Sequence, residues 1–191
     1  MRLILASASP RRADLLRSAG FDFAVDPSNV EEMPREGESP ETYTLRVARD
    51  KARDVAARTS APDAVVLGAD TEVVVDGRIL GKPEDEAHAA GMLRLLSGRA
   101  HDVITAVVVC RGSEEASDVI KTRVHFSALT HEEIREYANT GEPMGKAGAY
   151  AIQGYAARFI DRIEGSWSNV VGLPIHAVHQ LLRRAGVPHP A

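Results

Sequence analysis

An α/β domain built on a mixed twisted sheet flanked by helices is the fold the sequence predicts. Short apolar runs that read as strands alternate along the chain with stretches of helical periodicity. At two places, Asp76-Gly77 and the segment "RGSEEAS" at 111–117, successive strands are joined by connections too short for a crossover helix, which excludes an all-parallel arrangement. No composition shift or internal repeat divides the 191 residues, so residues 1–191 are expected to form one domain.

The elements follow in order. Residues 2–6 read as a strand and 11–19 as a helix stopped by Gly20. "FDFAVD" at 21–26 alternates apolar and acidic residues as a half-exposed strand does. "NVEEMPREGESP" at 29–40 is an acidic loop. Ser39 caps the next helix, with Pro40 at its first position and Glu41 in its first turn, and that helix runs to about Thr59. Val47, Lys51, Ala52 and Val55 recur there at helical spacing, which puts Lys51 beside an apolar stripe. Residues 64–83 read as two strands around Asp76-Gly77, a strong hairpin signal. "EDEAHAAGMLRLLSG" is a helix ending near Gly98. "HDVITAVVVC" and "DVIKTRVHFSAL" form a second strand pair. "THEEIREYANTG" opens on a capping box, Thr130 with Glu133. "ARFIDRIEG" is a strand, and "PIHAVHQLLRRAG" a closing helix with Pro174 at its start.

Composition narrows the function classes. Apolar residues make up 44%, enough for a packed core and too many for disorder. Twenty-three basic against 27 acidic residues give a net charge of -4, and aromatics are only 5%, so a nucleic-acid module is disfavoured. Cys110 is the one cysteine, in "AVVVCRG", and reads as a buried thiol. No apolar run approaches the roughly 18 residues of a membrane span, and no signal peptide is apparent. A soluble cytoplasmic protein is the expectation.

Three stretches carry chemistry. In "LILASASPRRADLLRSAG" a strand turns through Ser7 and Ser9 into a helix that begins with Arg11 and Arg12. Cations repel the positive end of a helix unless an anion lies between them. Backbone N–H groups at such a turn bind anions, and guanidinium groups match phosphate oxygens, so a phosphate cradle and a pair of solvated arginines are both open. In "VLGADTEV", Asp70 ends an apolar run beside small residues that let a ligand approach. It is a metal ligand, a base for an attacking water, or a turn aspartate. In "ILGKPEDE", Lys82 precedes Pro83 and is extended, suited to phosphate or to solvent. Glu31 and Glu32 in the acidic loop offer a second metal ligand or a solvated surface. His101-Asp102 is a structural histidine opening a strand rather than a metal motif. The seven histidines show no zinc spacing, and "EGSWSN" lacks the second glycine of a nucleophile elbow.

Taken together and in this order, "LASASPRR", "GESPETYTLRVARDKA", "VLGADTEVVVDGRILGKP", "LSGRAHDVITAVVV" and "KAGAYAIQGYAARFIDRIEGSWSNVVGLPI" resemble the Maf family of nucleoside triphosphate pyrophosphatases. The last segment most resembles the branch acting on dTTP and UTP. The resemblance covers nearly the whole chain. It implies two lobes around a deep cleft, similar to the inosine triphosphatase architecture, and homodimers are common among such proteins. It implies attack of water on the α-phosphorus with release of a nucleoside monophosphate and pyrophosphate, using Mg²⁺ or Mn²⁺.

By the same resemblance, Asp70 is the proton acceptor. Arg11, Thr71 and Gln153 set substrate choice, and Ser7, Arg12, Lys51 and Lys82 surround the triphosphate. Glu32, with Asp70, is a metal ligand. Ala8 and Ala106 depart from the family's usual residues without removing a functional group. A glutamine amide carries a donor and an acceptor, which suits the N3–H and carbonyl edge of uracil or thymine, and one methyl group separates those bases weakly. The alternative is a nucleotide-binding regulator of septum formation whose hydrolysis is incidental. Such a binder has no need of Asp70 near the phosphates.

Overall fold

The computed structural model describes residues 2–61 and 63–188. Seven strands form one mixed sheet in the order β2-β1-β3-β5-β6-β7, with β4 paired to β3. In chain order the elements are β1 (Arg2–Leu5), α1 (Pro10–Ser18), β2 (Ala24–Val25), α2 (Pro40–Arg58), β3 (Ala64–Val75) and β4 (Arg78–Ile79). Then come α3 (Glu86–Leu96), β5 (Ala100–Arg111), β6 (Glu114–Phe126) and α4 (His131–Asn139). Two short 3-10 turns, Ala147–Ala149 and Tyr155–Phe159, precede β7 (Ile160–Glu164), α5 (Trp167–Val171) and α6 (Ile175–Arg184). β1 runs parallel to β2 and β3, whereas the β3–β4 and β6–β7 pairs are antiparallel, so the sheet is mixed as the sequence predicts.

The chain divides into two compact units, each discontinuous in sequence. The first takes residues 1–71, 105–120 and 172–191, and the second takes 72–104 and 121–171. In the first, alternation along β1 separates two apolar layers. Leu3 and Leu5 join Val65, Leu67, Ala13, Leu16, Val178 and Leu182 in a cluster with α1 and α6. Ile4 and Ala6 join Val66, Val108, Ala48, Ala52 and Val55 in a cluster with α2. A sheet covered on both faces reads as continuous apolar runs such as "AVVLGA", because no register is left for solvent. Cys110 is buried in the α2 layer, and burial raises its thiol pKa. In the second unit, Val73, Val103, Val124 and Phe126 pack with Leu93, Leu96, Ile134 and Tyr137 from α3 and α4.

Caps and turns fall where the sequence places them. Ser39 accepts from the Thr42 N–H, and Thr130 and Glu133 complete the capping box. Asp76 and Gly77 have φ of 50° and 73°, the left-handed pair that a two-residue hairpin turn needs.

Other boundaries differ. "FDFAVD" shortens to Ala24–Val25, the only residues of this stretch paired with β1, while Phe21 and Phe23 are spent on the α1/α6 core. β6 begins at Glu114, four residues before the expected Asp118, because Arg49 and Arg53 of α2 neutralise Glu115 and make an acidic strand start tolerable. Residues 155–159 form a 3-10 turn, so the strand expected from Ala157 begins only at Ile160. The short helix α5 goes unpredicted, and its Asn169 is fully buried, donating to the Val103 carbonyl and Thr122 Oγ1 at 3.0 Å each.

His101 is the structural histidine expected. It is 2% exposed, 2.8 Å from the Tyr150 hydroxyl and edge-on to Phe126. No helix of the described residues is long and apolar enough to cross a membrane.

Candidate active site

The two arginines at the start of α1 meet different fates. Arg12 turns inward and is 9% exposed. It donates from Nε to the Gly172 carbonyl at 2.8 Å, from one terminal nitrogen to the Ala69 carbonyl at 2.9 Å and Ser7 Oγ at 3.1 Å, and from the other to Thr71 Oγ1 at 3.0 Å. A planar fork with fixed N–H directions can brace several acceptors at once, which an ammonium cannot do. Thr71 Oγ1 also lies 3.0 Å from Thr105 Oγ1 and donates to the Gly172 carbonyl at 3.3 Å.

Arg11 is half-buried, makes no hydrogen bond or ion pair among the described residues, and has its pKa lowered by burial. Beside it the first turn of α1 has no acidic residue, and Ser9 provides no side-chain cap. The N–H groups of that turn and the Arg11 guanidinium together form an anion-binding combination.

A second set forms on the other face of β3. Gly68 lies so close to α2 that a Cβ there would be 2.8 Å from the Ala52 Cβ. The small residue beside Asp70 therefore makes room for a helix, where the sequence suggested room for a ligand. Asp70 itself lies within the twelve-residue β3 rather than at a strand end. The close approach sets Lys51 of α2 against Asp70, Nζ to Oδ1 at 2.8 Å, with the two side chains 9% and 5% exposed. Lys51 Nζ also meets Glu32 Oε1 at 2.7 Å. The loop that carries Glu32 is held by Arg46, which grips both oxygens of Glu38 at 2.7 and 2.8 Å and donates to the Met33 carbonyl at 2.9 Å. The Arg46 hydrogen bonds keep the Glu38 carboxyl ionised down to about pH 2. Glu31 is exposed.

The two sets are joined through the backbone. Arg12 ties Ala69 and Thr71, the residues on either side of Asp70, and strand alternation sends the Asp70 side chain to the α2 face. The family resemblance implies Arg12 and Lys51 together around the triphosphate; here they meet β3 from opposite faces. Lys82 and Gln153 belong to the second unit, where both are exposed. The Gly148 N–H donates to the Gly81 carbonyl at 2.8 Å, which ties the Lys82 loop to the segment leading to Gln153. Glu72, only 7% exposed, is a buried carboxylate to which the motifs assign no role, although the D-x-E spacing of a strand signals it.

A hard divalent cation of the Mg²⁺ type is held by one or two carboxylates, with waters and substrate phosphates completing the shell. The donor set fits that pattern. Among the described residues Asp70 Oδ2 is buried without a hydrogen-bond partner, and Glu32 supplies a second carboxylate on the same ammonium. Among the described residues no cluster of three or more His, Cys, Asp or Glu is placed to hold an ion by itself.

Residues 2–185 match the family described as Maf-like protein. The chain belongs to the Maf family. Its curated Maf relatives include a dTTP/UTP pyrophosphatase of Koribacter versatilis, 53% identical over 98% of this chain and 96% of the relative. Proteins of the same name from Symbiobacterium thermophilum and Geobacter sulfurreducens are 51% and 52% identical, covering 98% and 97% of this chain and 95% and 97% of theirs. The motifs that carry the Maf resemblance therefore lie within a match that runs through both compact units.

Proposed function

We propose that the protein hydrolyses dTTP and UTP to the nucleoside monophosphate and pyrophosphate, in the cytoplasm and with a divalent cation held by Asp70 and Glu32. The observation that carries this reading is the Asp70 carboxylate, buried, held at one oxygen by the Lys51 ammonium and left open at the other. A protein that only bound nucleotides would leave such a group unexplained. The full-length relatives named for this activity support it.

Each residue has a task that its chemistry suits. Asp70 accepts a proton from water as the water oxygen bonds to the α-phosphorus. The bond from that phosphorus to the bridging oxygen breaks, and pyrophosphate leaves with the bond's electron pair. Lys51 aims Asp70 through the contact at Oδ1. Arg11, with the first-turn N–H groups of α1, offsets phosphate charge, and positioning with charge neutralisation is most of what phosphoryl chemistry asks of a protein. Arg12, with Ser7 and Thr71, braces β3 around Asp70. In the second unit, Lys82 is assigned phosphate charge and Gln153 the pyrimidine edge. A bound cation would supply further charge on the phosphates and a more acidic water.

The test is pyrophosphate release from a panel of nucleoside triphosphates with Mg²⁺, with Mn²⁺ and with a chelator. Release from UTP and dTTP above the other bases, lost on chelation, is expected. Release from none of them would overturn the proposal.

A further inference from the structure

Gln153 sits on a tight turn whose two ends are clamped by one pair of side chains, a buried tyrosine and a half-buried glutamate. The Gly154 N–H donates to the Ala151 carbonyl at 3.1 Å, closing a four-residue turn with Gln153 exposed at its third position. Entering the turn, the Ala151 N–H donates to the Tyr137 hydroxyl at 3.3 Å. That hydroxyl donates in turn to Glu142 Oε1 at 2.8 Å. Leaving the turn, the Tyr155 and Ala156 N–H groups donate to the two Glu142 oxygens at 2.9 and 3.4 Å. The Glu142 carboxylate lies against Gly154, where a Cβ would collide with it.

The clamp is itself anchored. Tyr137 is fully buried in α4, the helix with the complete capping box. The Tyr155 ring stacks on the Tyr137 ring at 5.6 Å with planes 9° apart, and the Arg158 guanidinium covers Tyr155 at 3.5 Å. Burial first, and then the hydrogen bond to Glu142, raises the phenol pKa, so the hydroxyl stays a donor to the carboxylate.

We infer that Tyr137 and Glu142 are positioning residues for base selection, holding the Ala151–Gly154 turn so that the Gln153 amide is presented in one orientation to the N–H and carbonyl edge of a pyrimidine. The inference rests on the assignment of Gln153 to the base. A side chain on a two-ended clamp loses little freedom on binding, and one-atom precision is what base discrimination by a single amide requires. An ordinary solvent loop has no use for a half-buried carboxylate satisfied by a phenol and by the backbone N–H groups on one side of a turn.

The experiment compares wild type, Tyr137→Phe, Glu142→Gln, Glu142→Ala and Gln153→Ala. It reads kcat and KM for UTP and for a purine nucleoside triphosphate, with amide exchange at Ala151 and Tyr155. Tyr137→Phe keeps the ring stack and removes only the hydroxyl, so it tests the clamp in a folded protein. It is expected to raise KM for UTP by roughly 3- to 10-fold, the worth of a lost hydrogen bond, with kcat little changed and the purine substrate little affected. Exchange at Ala151 is expected to quicken. Glu142→Gln, which keeps one acceptor oxygen, is expected to fall between wild type and Glu142→Ala. Adding Tyr137→Phe to Gln153→Ala should cost no further selectivity, because the clamp acts only through the Gln153 amide. If Gln153→Ala shifts the pyrimidine-to-purine ratio and Tyr137→Phe does not, the positioning role is overturned and the assignment of Gln153 stands. If Gln153→Ala itself leaves the ratio unchanged, that assignment fails and the inference with it.

Discussion

A lysine and an aspartate within hydrogen-bonding distance, each less than a tenth exposed, are the residues on which the proposed chemistry turns. Asp70→Asn preserves shape and the contact with Lys51 but removes the proton acceptor, so kcat for UTP should fall by about 10²- to 10⁴-fold, read as pyrophosphate release. Undiminished turnover would remove Asp70 from the mechanism. Asp70, Lys51 and Glu32 were all legible as residue types in the sequence, but the ammonium that joins the two carboxylates was not, because its reach across to β3 and the 29–40 loop depends on packing. His101 carries a pH prediction at the same scale. Burial, against the opposing pull of Asp102, lowers its pKa to about 4 from the ordinary 6.5. The unfolded chain therefore binds a proton that the folded protein refuses between those values, and stability falls as pH drops from about 6.5 toward 4. The loss is on the order of 1.4 kcal/mol per pH unit across that window. Urea midpoints should fall less steeply over the same range in His101→Gln, and equal slopes would contradict the buried neutral imidazole.

At the scale of elements, the approach of β3 to α2 sets the geometry of the site. Gly68 permits it, and a Cβ there would stand 2.8 Å from both the Ala52 Cβ and the Ala52 backbone nitrogen. Backbone cannot swing aside as a flexible side chain can, so Gly68→Ala should cost about 1–3 kcal/mol in urea denaturation and lower kcat by moving Lys51 away from Asp70. A variant as stable and active as wild type would show that the two elements have slack. Helices were the more legible elements, since Ser39, the Thr130/Glu133 capping box and the 3.6-residue period are local signals. Strand ends were less so. β2 stops where pairing with β1 stops, and β6 extends to Glu114 because arginines from another element reach Glu115. Neither partner is near in sequence.

At the scale of the whole molecule, Arg12 shows how distant segments are joined, for its hydrogen bond to Gly172 spans 160 positions of sequence. Arg12→Ala would remove the Arg12 donor from the buried Ala69 carbonyl and leave the Gly172 carbonyl with only the longer Thr71 Oγ1 contact, at about 1–3 kcal/mol in all. Arg12→Lys should rescue little, because a point charge cannot reach acceptors that diverge as these do. Urea midpoints for the two variants check this, and full rescue by lysine would show that charge alone matters at this position. The sequence by itself determined the mixed α/β class, the hairpin at Asp76-Gly77, the helix caps and the Maf resemblance, because periodicity, turn chemistry and ordered motifs are written in neighbouring residues. Only the tertiary structure decided that Arg12 braces the strand while Arg11 is left open, that Lys51 joins two carboxylates, and that Tyr137 and Glu142 clamp the turn bearing Gln153. Those are contacts between residues far apart along the chain, and their energies depend on burial and on directions in space that local patterns do not carry.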